Sequence, residues 1–423
     1  MMRYIGKKMV SILLCITFVV YASQEALKVD IDTVVDNAQK TNILIILATV
    51  TEKFKQLADL IAQDLRHSGQ CCIVMRQGKL PTTKKEVEEF YKEGYPFVVF
   101  LSYEKNSIEG RLYDALDIAM MKGKRWQHNE TDGWGVVAHT IAQDIWMELM
   151  GCKGSFLTKI AYVKKDKRRY STQSTSLCLV DWDGKNPQVI LSSKKIMVAP
   201  CWNKQAVNPV LFFSEFTNKN VRLMATNLQG NRWPVIDTEG TLVGICNGKT
   251  NHEVVYGKSG DIWTCSYDVQ TKKCCHTLLI RESGMCACPT RLPNGNILYC
   301  SRGKLKMRDA ITGKSTVLPC SGHCTAPAYH EPSQKVVFSK KINGIMQLCI
   351  YDIKKQIERQ MTDTIGDKID PTWSPCGSYI AFCYTQGIRS EICVYNVITG
   401  EQYRVSPENE SCAYPAWSPG SLF

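Results

Sequence analysis

Three constellations in this chain have residue types that could do chemistry. Cys320, His323 and Cys324 lie within five residues of one another, and Cys286 and Cys288 stand two apart. Thiolate and imidazole are zinc ligands, but neither group has a second pair at zinc-finger spacing, so structural zinc is not expected. His139 has Asp144 five residues on, which could form a general-base pair. No nucleophile motif lies nearby, and a buried packing histidine is the expected reading. An α/β-hydrolase would need a Gly-x-Ser-x-Gly elbow, and no such pentapeptide occurs in the 423 residues. No catalytic residue, metal ligand or cofactor is assigned.

The elements that would position such residues are set by a repeat. Six short runs share a β-branched and aromatic composition: Lys159–Val163, Leu211–Ser214, Val254–Gly257, Ile297–Cys300, Val336–Ser339 and Ile380–Cys383. Their aromatics, Tyr162, Phe213, Tyr256, Tyr299, Phe338 and Phe382, are spaced by 51, 43, 43, 39 and 44 residues. The first interval is long because a polar insertion, 164–175, follows Val163. A second anchor, Pro200, Pro289, Pro327, Pro371 and Pro415, has intervals of 89, 38, 44 and 44, as if one proline were lost near Val243. Ser374, Pro375 and Gly377 suit a tight turn after the anchor. Third strands end in Asp181, Asp268, Asp352 and Asn396, each with a cysteine three before it: Cys178, Cys265, Cys349 and Cys393. These thiols read as small packing residues facing a neighbouring unit. Four strands in about 44 residues is the arithmetic of a β-propeller blade. The ring is entered at a second strand, Lys159, and the spare first strand near Ser411 to Pro419 should close it.

Residues 1–22 read as a secretory signal: Arg3, Lys7 and Lys8 precede the apolar run from Val10 to Tyr21. Cleavage would lower the formal net charge of +12 by three. The charge is spread along the chain; nothing in it points to nucleic acid, and no later run is long enough to span a membrane. Of 20 cysteines, loss of Cys15 leaves an odd number, so at least one thiol is free or paired with another chain. Residues 23–155 carry no repeat. A strand at Ile43–Leu47, a helix from Glu52 to Leu65 and a strand at Cys71–Met75 come first. A helix from Lys84 to Tyr91, paired strands at Pro96–Tyr103 and Ile108–Tyr113, and a helix at Trp134–Met150 follow. That alternation predicts an N-terminal α/β sandwich, ahead of a six-bladed propeller at 156–423.

These residues resemble the TolB family of the Gram-negative Tol–Pal envelope system. The resemblance is carried by Leu149-Met-Gly-Cys-Lys-Gly-Ser-Phe-Leu-Thr-Lys-Ile-Ala-Tyr-Val163 at the domain junction. Ala62-Gln-Asp-Leu-Arg-His-Ser-Gly69, Ala138-His-Thr-Ile-Ala-Gln-Asp144, Asp181-Trp-Asp-Gly-Lys-Asn186 and Tyr414-Pro-Ala-Trp-Ser-Pro419 extend it. It departs from the family in its many cysteines and in third and fourth repeats without Trp-Ser-Pro. The resemblance implies a non-catalytic, monomeric periplasmic protein that binds the lipoprotein Pal through its propeller and TolA through its mature N-terminus. It also implies a part in outer-membrane integrity and constriction at division. The loops from each fourth strand to the next first strand should ring one mouth of the channel. They place His323, Thr325, Asp367, Lys368, Asp370, Asn409 and Ser411 as expected Pal contacts. The alternating segment Leu27–Asp36 places Leu27, Val29, Ile31 and Asp32 as expected TolA contacts. The alternative is a propeller-fold periplasmic enzyme, such as a sugar lyase or a peptidase-related hydrolase.

Overall fold

A chain that alternates short apolar runs with turn residues must decide which edges to pair, and here every blade solves that problem the same way. The computed structural model describes residues 40–127, 133–165, 174–203, 208–217, 220–238, 242–248, 250, 253–267 and 274–422. The leader and the segment Leu27–Asp36 lie outside the described residues.

The N-terminal domain is a five-stranded sheet with helices on both faces. Its elements are β1 (Thr41–Leu47), α1 (Glu52–His67), β2 (Cys71–Gln77), α2 (Lys84–Lys92), β3 (Phe97–Glu104), β4 (Ser107–Asp114), β5 (Ala119–Gln127) and α3 (Trp134–Met150). The order is β2-β1-β3-β4-β5, with β1 parallel to β2 and β3, and β3, β4 and β5 antiparallel. Strand alternation sends Ile43, Ile45 and Leu47 to the face covered by α1 and α3, and Leu44 and Ile46 to the face covered by Val87 of α2. Thr51 and Thr83 cap α1 and α2 by accepting the amides of Phe54 and Glu86, each at 3.3 Å. Gly151, at φ 67°, ends α3 in the left-handed region. Strand β5 was not expected. It is an exposed edge rich in lysine, so it lacks the apolar alternation that marks a buried strand.

Six four-stranded sheets follow. Blade 1 pairs strand A (Ser411–Trp417) with B (Lys159–Lys165), C (Thr175–Asp181) and D (Gln188–Ser193). Blade 2 runs Ile196–Trp202, Val210–Phe216, Val221–Asn227 and Arg232–Thr238, and blade 3 Leu242–Asn247, Glu253–Lys258, Asp261–Tyr267 and Cys274–Ile280. Blade 4 runs Cys286–Arg291, Ile297–Ser301, Lys304–Arg308 and Ser315–Val317. Blade 5 runs His323–His330, Lys335–Ile342, Ile345–Asp352 and Ile357–Gln360, and blade 6 Asp367–Trp373, Tyr379–Gln386, Arg389–Asn396 and Gln402–Arg404. The A strands touch one another in a closed ring and line the channel.

The proline repeat has a backbone cause. Each A strand breaks register against its B strand at one bulge. The bulges hold Ala199, Gly244, Cys288, Ala326, Asp370 and Tyr414 at positive φ, between 49° and 71°. Five of the six precede proline, which lacks an amide hydrogen and is tolerated where the ladder is already interrupted. Tryptophan two residues after the proline then ties blades together. Trp202 Nε1 donates to Ala416 O at 2.9 Å, and Trp373 Nε1 to Ala328 O at 3.1 Å. Blade 4 has Arg291 at that position, and it reaches Glu253 of blade 3 at 3.6 Å. The strand-B aromatics are all buried. Cys178, Cys265, Cys349 and Cys393 each lie in an apolar cluster shared with the preceding blade, Cys349 for instance in one with Leu298 and Leu305.

Closure comes from the C-terminus. Ala413 pairs with Val163 and Trp417 with Ile160. Trp417 Nε1 donates to Thr158 Oγ1 at 2.8 Å, and the amides of Ser418 and Lys159 donate to Lys159 O and Ser418 Oγ at 2.9 and 3.1 Å. Truncation after Glu410 should therefore expose the edge of Lys159–Lys165 and remove the partners of Trp202 and Thr158. The expected cost exceeds about 4 kcal/mol. Thermal melting should show loss of the cooperative transition, and size-exclusion chromatography should show aggregate. A truncated chain that melts like the full one would contradict closure by this strand.

Candidate partner-binding face

The two faces of the ring differ because one is already occupied. The A–B and C–D turns of blades 1 and 6 meet the N-terminal domain. Asn396 Nδ2 donates to His67 O at 2.8 Å, Lys185 Nζ to Gln63 Oε1 at 2.9 Å and Ser155 Oγ to Cys376 Sγ at 3.0 Å. A Cβ at Gly69 would lie 2.2 Å from Thr399 Cγ2, so only glycine fits there. One apolar core runs through the junction from Ile43 to Trp417. Its centre is the buried Trp182 ring, with centroids 5.3 Å from both Phe156 and Tyr379.

His139 belongs to this side, and not with the partner its sequence offered. Its Nδ1 lies 2.7 Å from Asp64 Oδ2, both residues being 1% exposed. Asp144 instead takes Lys124 Nζ at 2.5 Å and Trp126 Nε1 at 2.7 Å. Five residues along a helix rotate a side chain by about 140° from the first, which separates the two. Cys320, His323 and Cys324 also part company. Both thiols turn into a core with Cys349, while His323 is exposed, as alternation at the start of a strand requires. Burial pushes the Cys320, Cys324 and Cys349 thiols up to about 12, 11 and 12, so they stay protonated and inert.

The opposite face is free of the N-terminal domain and is built from D–A loops and B–C turns. These interlock where blades 5, 6 and 1 begin, the D–A segment leaning on the preceding blade's B–C turn. His323 packs over Gly303, where a Cβ would meet its Nδ1 at 2.3 Å. Asp367 Oδ1 accepts from Met346 N at 2.8 Å, and Ser411 Oγ lies 3.0 Å from Ser390 Oγ. Asn409 is exposed at φ 62°. The expected loop set needs one correction. Strands A begin at His323, Asp367 and Ser411, so these three stand at the strand starts, Thr325, Lys368 and Asp370 lie within the strands, and of the seven Asn409 alone is in a loop. The bulge carries pairing past the point where the sequence suggested it stops. Thr325 is half-buried beside it.

Lys368 is fully buried. It donates to the carbonyls of Thr364, Ile365 (2.9 Å) and Gly366 (2.9 Å), so its ammonium is spent on holding that loop. The held loop displays Ile365, 65% exposed, and the same face presents Met285 at 72% and Ile388 at 100%. Sequence reasoning sought polar loop residues and missed these three. A large apolar residue beside glycine at a turn tip, as in Ile365-Gly366 and Gly387-Ile388, was the available signal.

The channel encloses about 330 Å³. Asp370 is the one charged side chain among its described lining residues. Burial pushes its carboxyl from 3.8 up to about 6. The folded state therefore holds that proton more tightly than the unfolded chain does. The penalty for ionisation is absent below about pH 4, grows up to about pH 6 and is constant above. Asp370→Asn should raise stability above pH 6 by at most about 3 kcal/mol, with the gain vanishing near pH 4. Asparagine tolerates the left-handed backbone there. Urea melts at pH 4, 6 and 8 measure this, and a gain equal at all three would place the effect in the turn and not in the charge.

A family model described as the TolB beta propeller domain matches residues 276–422. The Tol-Pal system protein TolB of Bordetella avium is 27% identical over 193 residues, 44% of this chain and 42% of that protein. The same-named protein of Histophilus somni is 26% identical over 227 residues, 51% of each. The chain is similar to the TolB family, most clearly over its last blades. The crystal structure of TolB from Acinetobacter baumannii matches with a TM-score of 0.76 at 19% identity, over 90% of this chain and 96% of that one. That likeness shows the fold: an α/β domain followed by a six-bladed ring. The chain matches about half the length of the curated relatives. Blades 3, 4 and 5 depart from the other blades, with Asn247, Arg291 and Tyr329 where Trp202, Trp373 and Trp417 stand elsewhere. Among the described residues no helix is long and apolar enough to cross a membrane.

Proposed function

We propose that this chain is a non-catalytic periplasmic adaptor of the Tol–Pal system, joining the lipoprotein Pal to TolA and so supporting outer-membrane integrity and constriction during division. The observation that carries the reading is the asymmetry of the ring. The N-terminal domain sits on turns of blades 1 and 6 at one face, and the other face is an interlocked rim left open around the channel mouth. Rigid loops on such a scaffold suit recognition, since little order has to be imposed on binding. The rim mixes polar groups with isolated apolar side chains, the composition of a reversible interface. The names of the relatives supply the system, and the open rim supplies the surface.

Pal would bind at His323, Asp367, Asn409 and Ser411, with Ile365 and Ile388 as apolar anchors. Lys368, Thr325 and Asp370 would act from behind, by shaping the rim. His323→Ala, Ile365→Ala and Asp367→Ala should each weaken Pal binding, at least one of them by tenfold or more, an energy of about 1.4 kcal/mol. Ile311→Ala, exposed on the C–D turn of blade 4 on the other face, should change nothing. Titration calorimetry with purified Pal decides it. Equal losses on both faces, or none on either, would move the site elsewhere.

TolA would bind the mature N-terminus through Leu27, Val29, Ile31 and Asp32, an alternating segment suited to strand addition. Deleting 23–32 should abolish TolA capture while the thermal transition of the rest of the chain is unchanged. Retained capture by the deleted protein would defeat this assignment without touching the Pal rim.

A further inference from the structure

We propose that Asp64, His139 and Asp183 form a site for one first-row divalent cation, held through nitrogen and carboxylate oxygen across the seam between the two domains. The three come from separate elements: Asp64 from α1, His139 from α3 and Asp183 from the C–D turn of blade 1. One donor atom from each lies within 4.8 Å of the others, the one such group of three among the described residues. All three side chains are shut away from solvent, at 1%, 1% and 0% exposure.

The imidazole is half-satisfied. Nδ1 is 2.7 Å from Asp64 Oδ2, but Nε2 is buried with no partner. An unpaired nitrogen at full burial costs stability unless something binds it. A carboxylate that holds Nδ1–H fixes the tautomer leaving Nε2 as a lone-pair donor, as in carboxylate–histidine–metal arrangements. Asp183 Oδ2 likewise makes no hydrogen bond, although Lys185 Nζ lies 3.0 Å away as an ion-pair partner. That lysine is well exposed and already donates to Gln63, so it can leave the carboxylate. Asp181, two residues back, is committed to Lys159 and Asn186 and is not available. Trp182 Nε1 and Tyr403 Oη are buried without partners in the same seam, and could bond water that completes a metal's shell.

The donor chemistry selects the ion. One imidazole and carboxylate oxygens suit zinc, manganese, iron or cobalt; calcium and magnesium prefer oxygen alone. Thiolate plays no part. In this arrangement His139 Nε2 and Asp183 are ligands and Asp64 is the positioning carboxylate. Because the ligands straddle the seam, a bound ion would fix the domains to each other, and loading would be slow.

Cobalt reports both binding and ligand type. Metal-free full-length protein, kept reduced and equilibrated overnight with Co²⁺, should retain one equivalent after gel filtration. Weak visible bands without a thiolate charge-transfer band, and a raised Tm, should accompany it. Asp183→Asn keeps the Oδ1 bond to the Lys185 amide and should abolish retention and the Tm rise. Asp64→Asn should weaken binding by about 10- to 100-fold. Cys320→Ser should leave both readouts unchanged. The inference is overturned if no cobalt is retained, if retention survives Asp183→Asn, or if the spectrum shows sulfur ligation. Should His139→Gln fail to fold, Asp183→Asn alone decides.

Discussion

A ring of sheets has no natural beginning, and the chain must supply one. The pairing of Ser411–Trp417 with Lys159–Lys165 is that closure, and much else depends on it. It covers the otherwise open edge of Lys159–Lys165 and gives blade 1 four strands like the others. It also brings Trp417 onto Thr158 and Tyr379, at the foot of the N-terminal domain. Closure therefore does two things at once: it completes blade 1 and finishes the apolar core on which the first domain sits.

That shared core explains why the two faces of the propeller have different fates. Trp182 is in the C–D turn of blade 1, yet its ring is buried among Phe156, Tyr379 and His67. An aromatic cluster of this size resists separation, because parting the domains would expose every ring together. The A–B and C–D turns nearby are thus committed to structure. The other rim is left uncovered, with its D–A loops braced by B–C turns and not by a second domain.

Most of the fold was legible because its signals are periodic. The strand-B aromatics recur every 39 to 51 residues and every one is buried. The proline anchor was visible too, but its cause was not. Only the backbone shows that Ala199, Cys288, Ala326, Asp370 and Tyr414 occupy left-handed bulges just before it. Strand β5 was illegible for the opposite reason: an exposed edge has no buried face to impose alternation. The site was read less well. His139 was rightly taken as buried, but its partner lies 75 residues away on another helix, a distance that helical spacing cannot bridge.

The rim shows how a polar side chain can serve to place an apolar one. Lys368 was expected as a contact from its place near the channel mouth. Here the ammonium is turned inward, and burial pulls its pKa below the ordinary lysine value. Three carbonyls pay for that burial, and the result is a loop stiff enough to hold Ile365 in water. A charged residue has been used to present an apolar one. Recognition at such a rim would draw its energy from the displayed side chain and its precision from the buried lysine, so the residue that matters to a partner need not be one that touches it.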